Sequence, residues 1–126
     1  MTNETRAHIR SLLWQYKKIE KSLIRLSEIS DTKKELAITA LTNEGSKNWS
    51  LNQIIFLKIF VNTVNTILEN STVDVSDIFY VKYYNGHFKK KLAVVSAETF
   101  LSESTIKRRD SEFIAEIAKR LGWLSV

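Results

Sequence analysis

The chain has 126 residues, a formal net charge of +5 and a pI near 9.5, with no cysteine, no proline and three glycines. That excludes a disulfide scaffold, a thiolate nucleophile and a cysteine-rich zinc site, and it disfavours folds built on hairpins and tight turns. With 44% apolar and 26% charged residues the chain can bury a core, and the scarcity of proline and glycine favours long helices, so an all-α protein is the expectation.

The charge is segregated along the chain. Residues 1–34 carry +4, residues 35–75 carry −2 and residues 76–126 carry +3. Basic ends around an acidic middle suit a polyanionic partner. The N-terminus shows no apolar run with a small-residue cleavage site, so no signal peptide is expected. The densest apolar stretch, Ile54 to Val61, is interrupted by Lys58 and followed by Asn62, which argues against a membrane span. Lack of cysteine fits a reducing cytoplasm.

A first helix is expected over about Glu4 to Ile29. Ile9, Leu12, Tyr16, Ile19, Leu23 and Leu26 alternate three- and four-residue spacings, and Leu13 and Trp14 widen that stripe. The pattern serves either a core-facing helix or a coiled-coil seam that would make a homodimer. Asp31 or Thr32 caps a second short helix carrying Leu36, Ala37, Ala40 and Leu41, and residues 43–48 read as a loop. Ser50-Leu51-Asn52-Gln53 has the form of a capping box and opens a third helix to about Glu69, with Ile54, Leu57, Val61, Val64 and Leu68 on one side.

Asn70-Ser71-Thr72 is a polar break, dividing the chain into an N-terminal helical part, 1–72, and a C-terminal part, 73–126. Val73, Val75, Phe79, Val81 and Tyr83 partly alternate, so a strand competes there with a helix capped by Ser76 and ended by Asn85-Gly86. Lys91 to Glu98 forms a short helix, and Thr99-Phe100-Leu101 turns without glycine. Ser102 caps a longer helix through Leu121, and Gly122 stops it.

The last two helices have the pattern of a helix-turn-helix. Ile106, Phe113, Ile117 and Leu121, with Ile114 and Ala118, fall on one side of the longer helix. Ser104, Thr105, Lys107 and Arg108 crowd the N-terminal part of the other, where a recognition helix meets the major groove. Those four are the candidates for groove contacts. Lys89, Lys90, Lys91 and Arg109 are the candidates for phosphate contacts. Cations early in a helix oppose its dipole, so helix stability does not explain them. Double-stranded DNA is therefore the expected partner.

Leu101-Ser102-Glu103-Ser104-Thr105-Ile106-Lys107-Arg108 resembles the turn and recognition-helix start of region 4 of bacterial sigma factors. Ile114-Ala115-Glu116-Ile117-Ala118-Lys119-Arg120-Leu121-Gly122 is similar to the ending of phage late-gene regulators of the ArpU/RinA type. The resemblance implies a helical N-terminal part, a C-terminal sigma-like helix-turn-helix, and activation of late phage or prophage genes with host RNA polymerase in the bacterial cytoplasm. The sequence departs from the pattern at Phe100-Leu101, where the turn has no glycine, and at Ser96-Ala97 inside the first motif helix. A small terminase subunit and a helical protein–protein adaptor or anti-repressor are the alternatives.

No Walker, GxSxG or HExxH sequence occurs, and His8 and His87 have no companion at ligand spacing. Asp74 with Asp77 and Glu112 with Glu116 fit helix capping and solvated faces better than acid–base work. Trp14, Trp49 and Trp123 fit core or contact positions. Tyr80, Tyr83, Tyr84 and Phe88 among lysines allow base stacking on single strands as a lesser alternative. No enzyme activity, cofactor, metal or membrane partner is expected.

Overall fold

Thr2 opens the first helix. Its hydroxyl accepts the Thr5 N–H at 3.1 Å and satisfies one of the amides that a helix start leaves without a partner. Helix α1 runs Asn3–Trp14 and helix α2 runs Tyr16–Ser27. The single helix expected there is thus broken at Gln15, whose N–H reaches back only three residues to the Leu12 carbonyl at 3.1 Å. Leu13, not Leu12, joins Ile9 in the core. At about 100° per residue, the fourth residue on lies about 40° from Ile9 and the third about 60°, so Leu13 is the nearer neighbour.

The computed structural model describes residues 1–27 and 50–125. The expected second helix at 31–41, the loop at 43–48 and Trp49 lie outside the described residues.

The capping box forms as its sequence predicts. The Ser50 N–H donates to Gln53 Oε1 at 2.7 Å, and the Gln53 N–H donates to Ser50 Oγ at 3.2 Å. Helix α3 then runs Leu51–Glu69. It buries Ile54, Leu57, Phe60, Val61, Val64 and Ile67; Ile67 takes the place expected of Leu68, which is half-buried. By length and composition alone, α3 is also apolar enough to cross a membrane, with a mean hydropathy of 1.3, a test that core helices pass as well.

Helix α4, Val73–Ile78, begins after Thr72 rather than at Ser76 and passes directly into a π-helical segment, Phe79–Tyr84. Helix α5 follows at Leu92–Thr99 and helix α6 at Glu103–Leu121. The protein is all-α, and no strand occurs among the described residues. The alternation that suggested a strand at 73–84 belongs to a helix whose last turn is widened: the Asn85 N–H reaches back five residues to the Tyr80 carbonyl at 2.9 Å.

The chain divides into two compact units, residues 1–16 with 63–126, and residues 17–62. The polar break at 70–72 separates α3 from α4, while the units divide at other positions. In the larger unit α1 packs on α6 and on the π-helical segment, and α4 packs on α5, α6 and that segment. Ile78, Val95 and Ile106 form the buried centre beneath α5 and α6, with Val81, Leu92 and Leu101 against it. Tyr16, Phe79 and Phe113 extend the core as edge-to-face rings, at 5.2 Å and 6.0 Å between centroids.

Candidate nucleic-acid interface

The turn between α5 and α6 is held by hydroxyls where a glycine is more usual. Ser96 Oγ donates to the Leu101 carbonyl at 2.6 Å, and Thr99 Oγ1 donates to the Val95 carbonyl at 2.8 Å. Between them Phe100 sits in the left-handed region, φ 61° and ψ 25°, with its side chain 94% exposed. A β-carbon there costs about 1–2 kcal/mol against the following carbonyl. Ser96, which departs from the usual pattern of such motifs, is therefore part of the lock that closes this turn.

Ser102 starts α6 as expected. Its Oγ accepts the Thr105 N–H at 3.2 Å, an arrangement worth about 1 kcal/mol to the helix. The same hydroxyl donates to Thr105 Oγ1 at 2.8 Å and contacts Ser104 Oγ at 3.2 Å. At the other end Gly122 takes φ 76°, and its N–H bonds back to the last turn.

Between these caps α6 separates two faces. Ile106, Asp110, Phe113, Ile114, Ile117 and Ala118 are buried. Ser104, Lys107, Arg108 and Ser111 are exposed, and their spacing of three, four and seven residues puts them on one stripe. Neither the Lys107 nor the Arg108 side chain has an ion pair or hydrogen bond among the described residues. Thr105 is half-buried at the edge of the stripe, and its hydroxyl is engaged by the cap. Arg109, also half-buried, pairs with Glu112 at 3.2 Å, and its Nε is buried without a partner.

The three lysines before α5 do not act alike. Lys89 and Lys91 are exposed, and Lys89 Nζ lies 5.7 Å from the centre of the Phe88 ring. Lys90 is only 13% exposed; its Nζ donates to the Val81 carbonyl at 2.9 Å and pairs with Glu98 at 3.2 Å. It clamps the π-helical segment to α5, which leaves less of it for a phosphate.

The buried face holds a polar cluster that sequence reasoning missed. Asp110, 3% exposed, accepts from Arg10 Nη2 at 3.1 Å and Lys82 Nζ at 3.0 Å through one oxygen, and from the Tyr83 hydroxyl at 2.6 Å through the other. Burial, then the Asp110 carboxylate, pushes the Tyr83 phenol well above the ordinary tyrosine range, so it stays a donor. Burial opposes the Arg10 charge, but Asp110 and Tyr83 outweigh it and hold that pKa above the ordinary arginine value. The widened turn frees its carbonyls for side chains: Trp14 Nε1 donates to the Lys82 carbonyl at 3.1 Å. Gly86 closes over the same carbonyl, where an added β-carbon would come within 2.7 Å of the Lys82 carbonyl carbon.

The remaining candidates have simpler places. His8 stacks with Trp123 at 5.7 Å, and His87 Nδ1 accepts the Lys89 N–H at 3.2 Å. Glu116 pairs with Arg120 at 3.0 Å on the α6 surface. No cluster of three or more His, Asp or Glu that could hold a metal occurs among the described residues. No family model, curated protein or solved structure matches the chain.

Proposed function

We propose that this chain binds double-stranded DNA through α5, the Phe100 turn and α6, with α6 as the helix that enters the major groove. The observation that carries this reading is the exposed stripe of Ser104, Lys107, Arg108 and Ser111 on the first half of an otherwise anchored helix. Arg and Lys at those positions reach guanine edges or phosphates, and Ser reaches either. Lys89 and Lys91, exposed before α5, supply phosphate contacts; Thr105, Arg109 and Lys90 contribute less because the fold already engages them. Through the resemblance to sigma region 4 and to ArpU/RinA-type regulators, the same reading makes the protein a transcription regulator that works with host RNA polymerase in a bacterial cell.

The test is a titration of random duplex DNA across a salt series, with wild type beside Lys107→Ala/Arg108→Ala. Wild-type affinity should fall steeply with salt, and the double variant should bind more weakly with a slope shallower by roughly 1.8. Both residues are exposed and unpaired, so the variant should keep its stability within about 0.5 kcal/mol. Absence of binding at low salt, or a variant that binds like wild type, overturns the reading and favours a protein partner.

A further inference from the structure

A cavity of about 460 Å³ opens beside the buried face of α6, within the range of small-molecule sites. Its walls come from α1, the π-helical segment, the loop before α5, and α5 and α6 themselves. Four basic side chains line it: Arg10, Lys82, Lys90 and Lys107. Its one carboxylate, Asp110, already accepts from Arg10, Lys82 and Tyr83. A guanidinium has five N–H donors and an ammonium three, so Arg10 and Lys82 keep donors beyond those bonds. Lys90 is balanced by Glu98, and Lys107 has no partner among the described residues. The cavity is thus positive after every internal pairing is counted.

The other lining groups are flat or apolar. Trp14 and Phe88 meet edge-on, 6.4 Å between centroids at 70°, and Leu92, Val95 and Ile106 line the cavity beside them. Phe88 is 70% exposed, so core packing does not account for an aromatic ring at that rim. Cations and aromatic rings lining one cavity match a ligand that carries both an anionic group and a ring.

We propose that this cavity binds small ring-bearing anions, with the aryl phosphates as the fitting class: the phosphate meets Arg10, Lys82 and Lys107, and the ring lies against Trp14 and Phe88. Lys107 also belongs to the exposed stripe of α6. On the DNA reading of that stripe, on which this last step rests, a bound anion draws Lys107 inward and lowers DNA affinity.

The experiment is a calorimetric titration of the full chain with phenyl phosphate at low salt and without DNA, with inorganic phosphate in parallel. Phenyl phosphate should bind saturably at one site, about tenfold more tightly than inorganic phosphate. Lys107→Gln should weaken it about fivefold or more by removing a charge-assisted contact. Phe88→Ala should bring its affinity down toward that of inorganic phosphate, leaving the part that Trp14 supplies. Both substitutions are at exposed positions, and circular dichroism checks that each variant is folded. Lack of saturation by about 10 mM, or unchanged affinity in Lys107→Gln, overturns the proposal. The DNA titration without and with saturating phenyl phosphate separates the two readings: small-anion binding with no DNA binding even in the absence of phenyl phosphate leaves the cavity site standing and removes only the DNA reading, and DNA affinity unchanged by phenyl phosphate overturns the coupling through Lys107.

Discussion

The two faces of α6 use charge in opposite ways. On the buried face a single carboxylate, Asp110, gathers two cations and a phenol from α1 and the π-helical segment. On the exposed face Lys107 and Arg108 have no partner at all among the described residues. The difference teaches what each charge is for. Charges neutralised inside the fold contribute to how α6 is held, and charges left open contribute nothing to that. A substitution on the first face should therefore act on stability, and one on the second should leave stability unchanged and, on the proposed DNA reading, act on binding.

The largest break in that comparison is Asp110→Ala. It leaves Arg10 and Lys82 without their shared anion and Tyr83 without an acceptor. Loss of one partner from a buried pair costs about 3–5 kcal/mol. Arg10 and Lys82 are partly exposed and water recovers some of that, so a loss of about 2–4 kcal/mol in urea denaturation is expected. A loss below 1 kcal/mol would mean that apolar packing alone anchors α6.

Tyr83→Phe sharpens the same point with pH. The folded protein keeps the Tyr83 proton above 10.0, the ordinary phenol value, because burial and Asp110 raise its pKa. Only the unfolded chain releases that proton, so stability is fully present below that value and falls as pH rises past it, by about 1.4 kcal/mol per pH unit for this group. Tyr83→Phe should cost about 1–2 kcal/mol at neutral pH and then lose that slope. Urea midpoints between about pH 9 and pH 11 measure it. Parallel curves for the two proteins would show that Tyr83 is not held in the bond to Asp110.

What could be read from the sequence follows from the range of the interactions. The capping box at Ser50 and Gln53, the Ser102 cap, the Gly122 stop and the apolar face of α6 all depend on neighbours within four residues, and all were legible. Asp110 was not, because its partners lie 100, 28 and 27 positions away. It stands in a run of charged residues, Lys107, Arg108, Arg109 and Glu112, that the fold leaves exposed or half-buried. The signal available was its spacing: 106, 110, 113 and 117 form one apolar stripe, and Asp110 stands inside it. The π-helical turn was hidden for the same reason. Its carbonyls are satisfied by Trp14 and Lys90, which only the fold brings near, and its aromatic residues imitate the alternation of a strand. For the candidate interface, residue type and helical spacing were legible. Which hydroxyls and cations the fold had already engaged was not.

The smallest effect tests the exposed side on its own terms. Phe100 holds a left-handed conformation and packs on nothing, at φ 61° and 94% exposure. Glycine relieves the strain at that position, offset in part by the greater freedom it gives the unfolded chain. Phe100→Gly should therefore stabilise the protein by about 0.5–1 kcal/mol, read as a rise in the urea midpoint. It is the one substitution discussed whose sign is favourable, and that is its use. A strained, exposed residue that adds no packing points to a role to be tested at the surface. If Phe100→Gly is more stable and binds duplex DNA less well, the turn belongs with Lys107 and Arg108 as part of the interface. If it is more stable and binds equally well, the interface begins only at α6, and Phe100 is strain without a use in DNA binding. A less stable variant would mean that the ring holds the turn closed, and the line between the two faces would have to be drawn after Phe100 rather than before it.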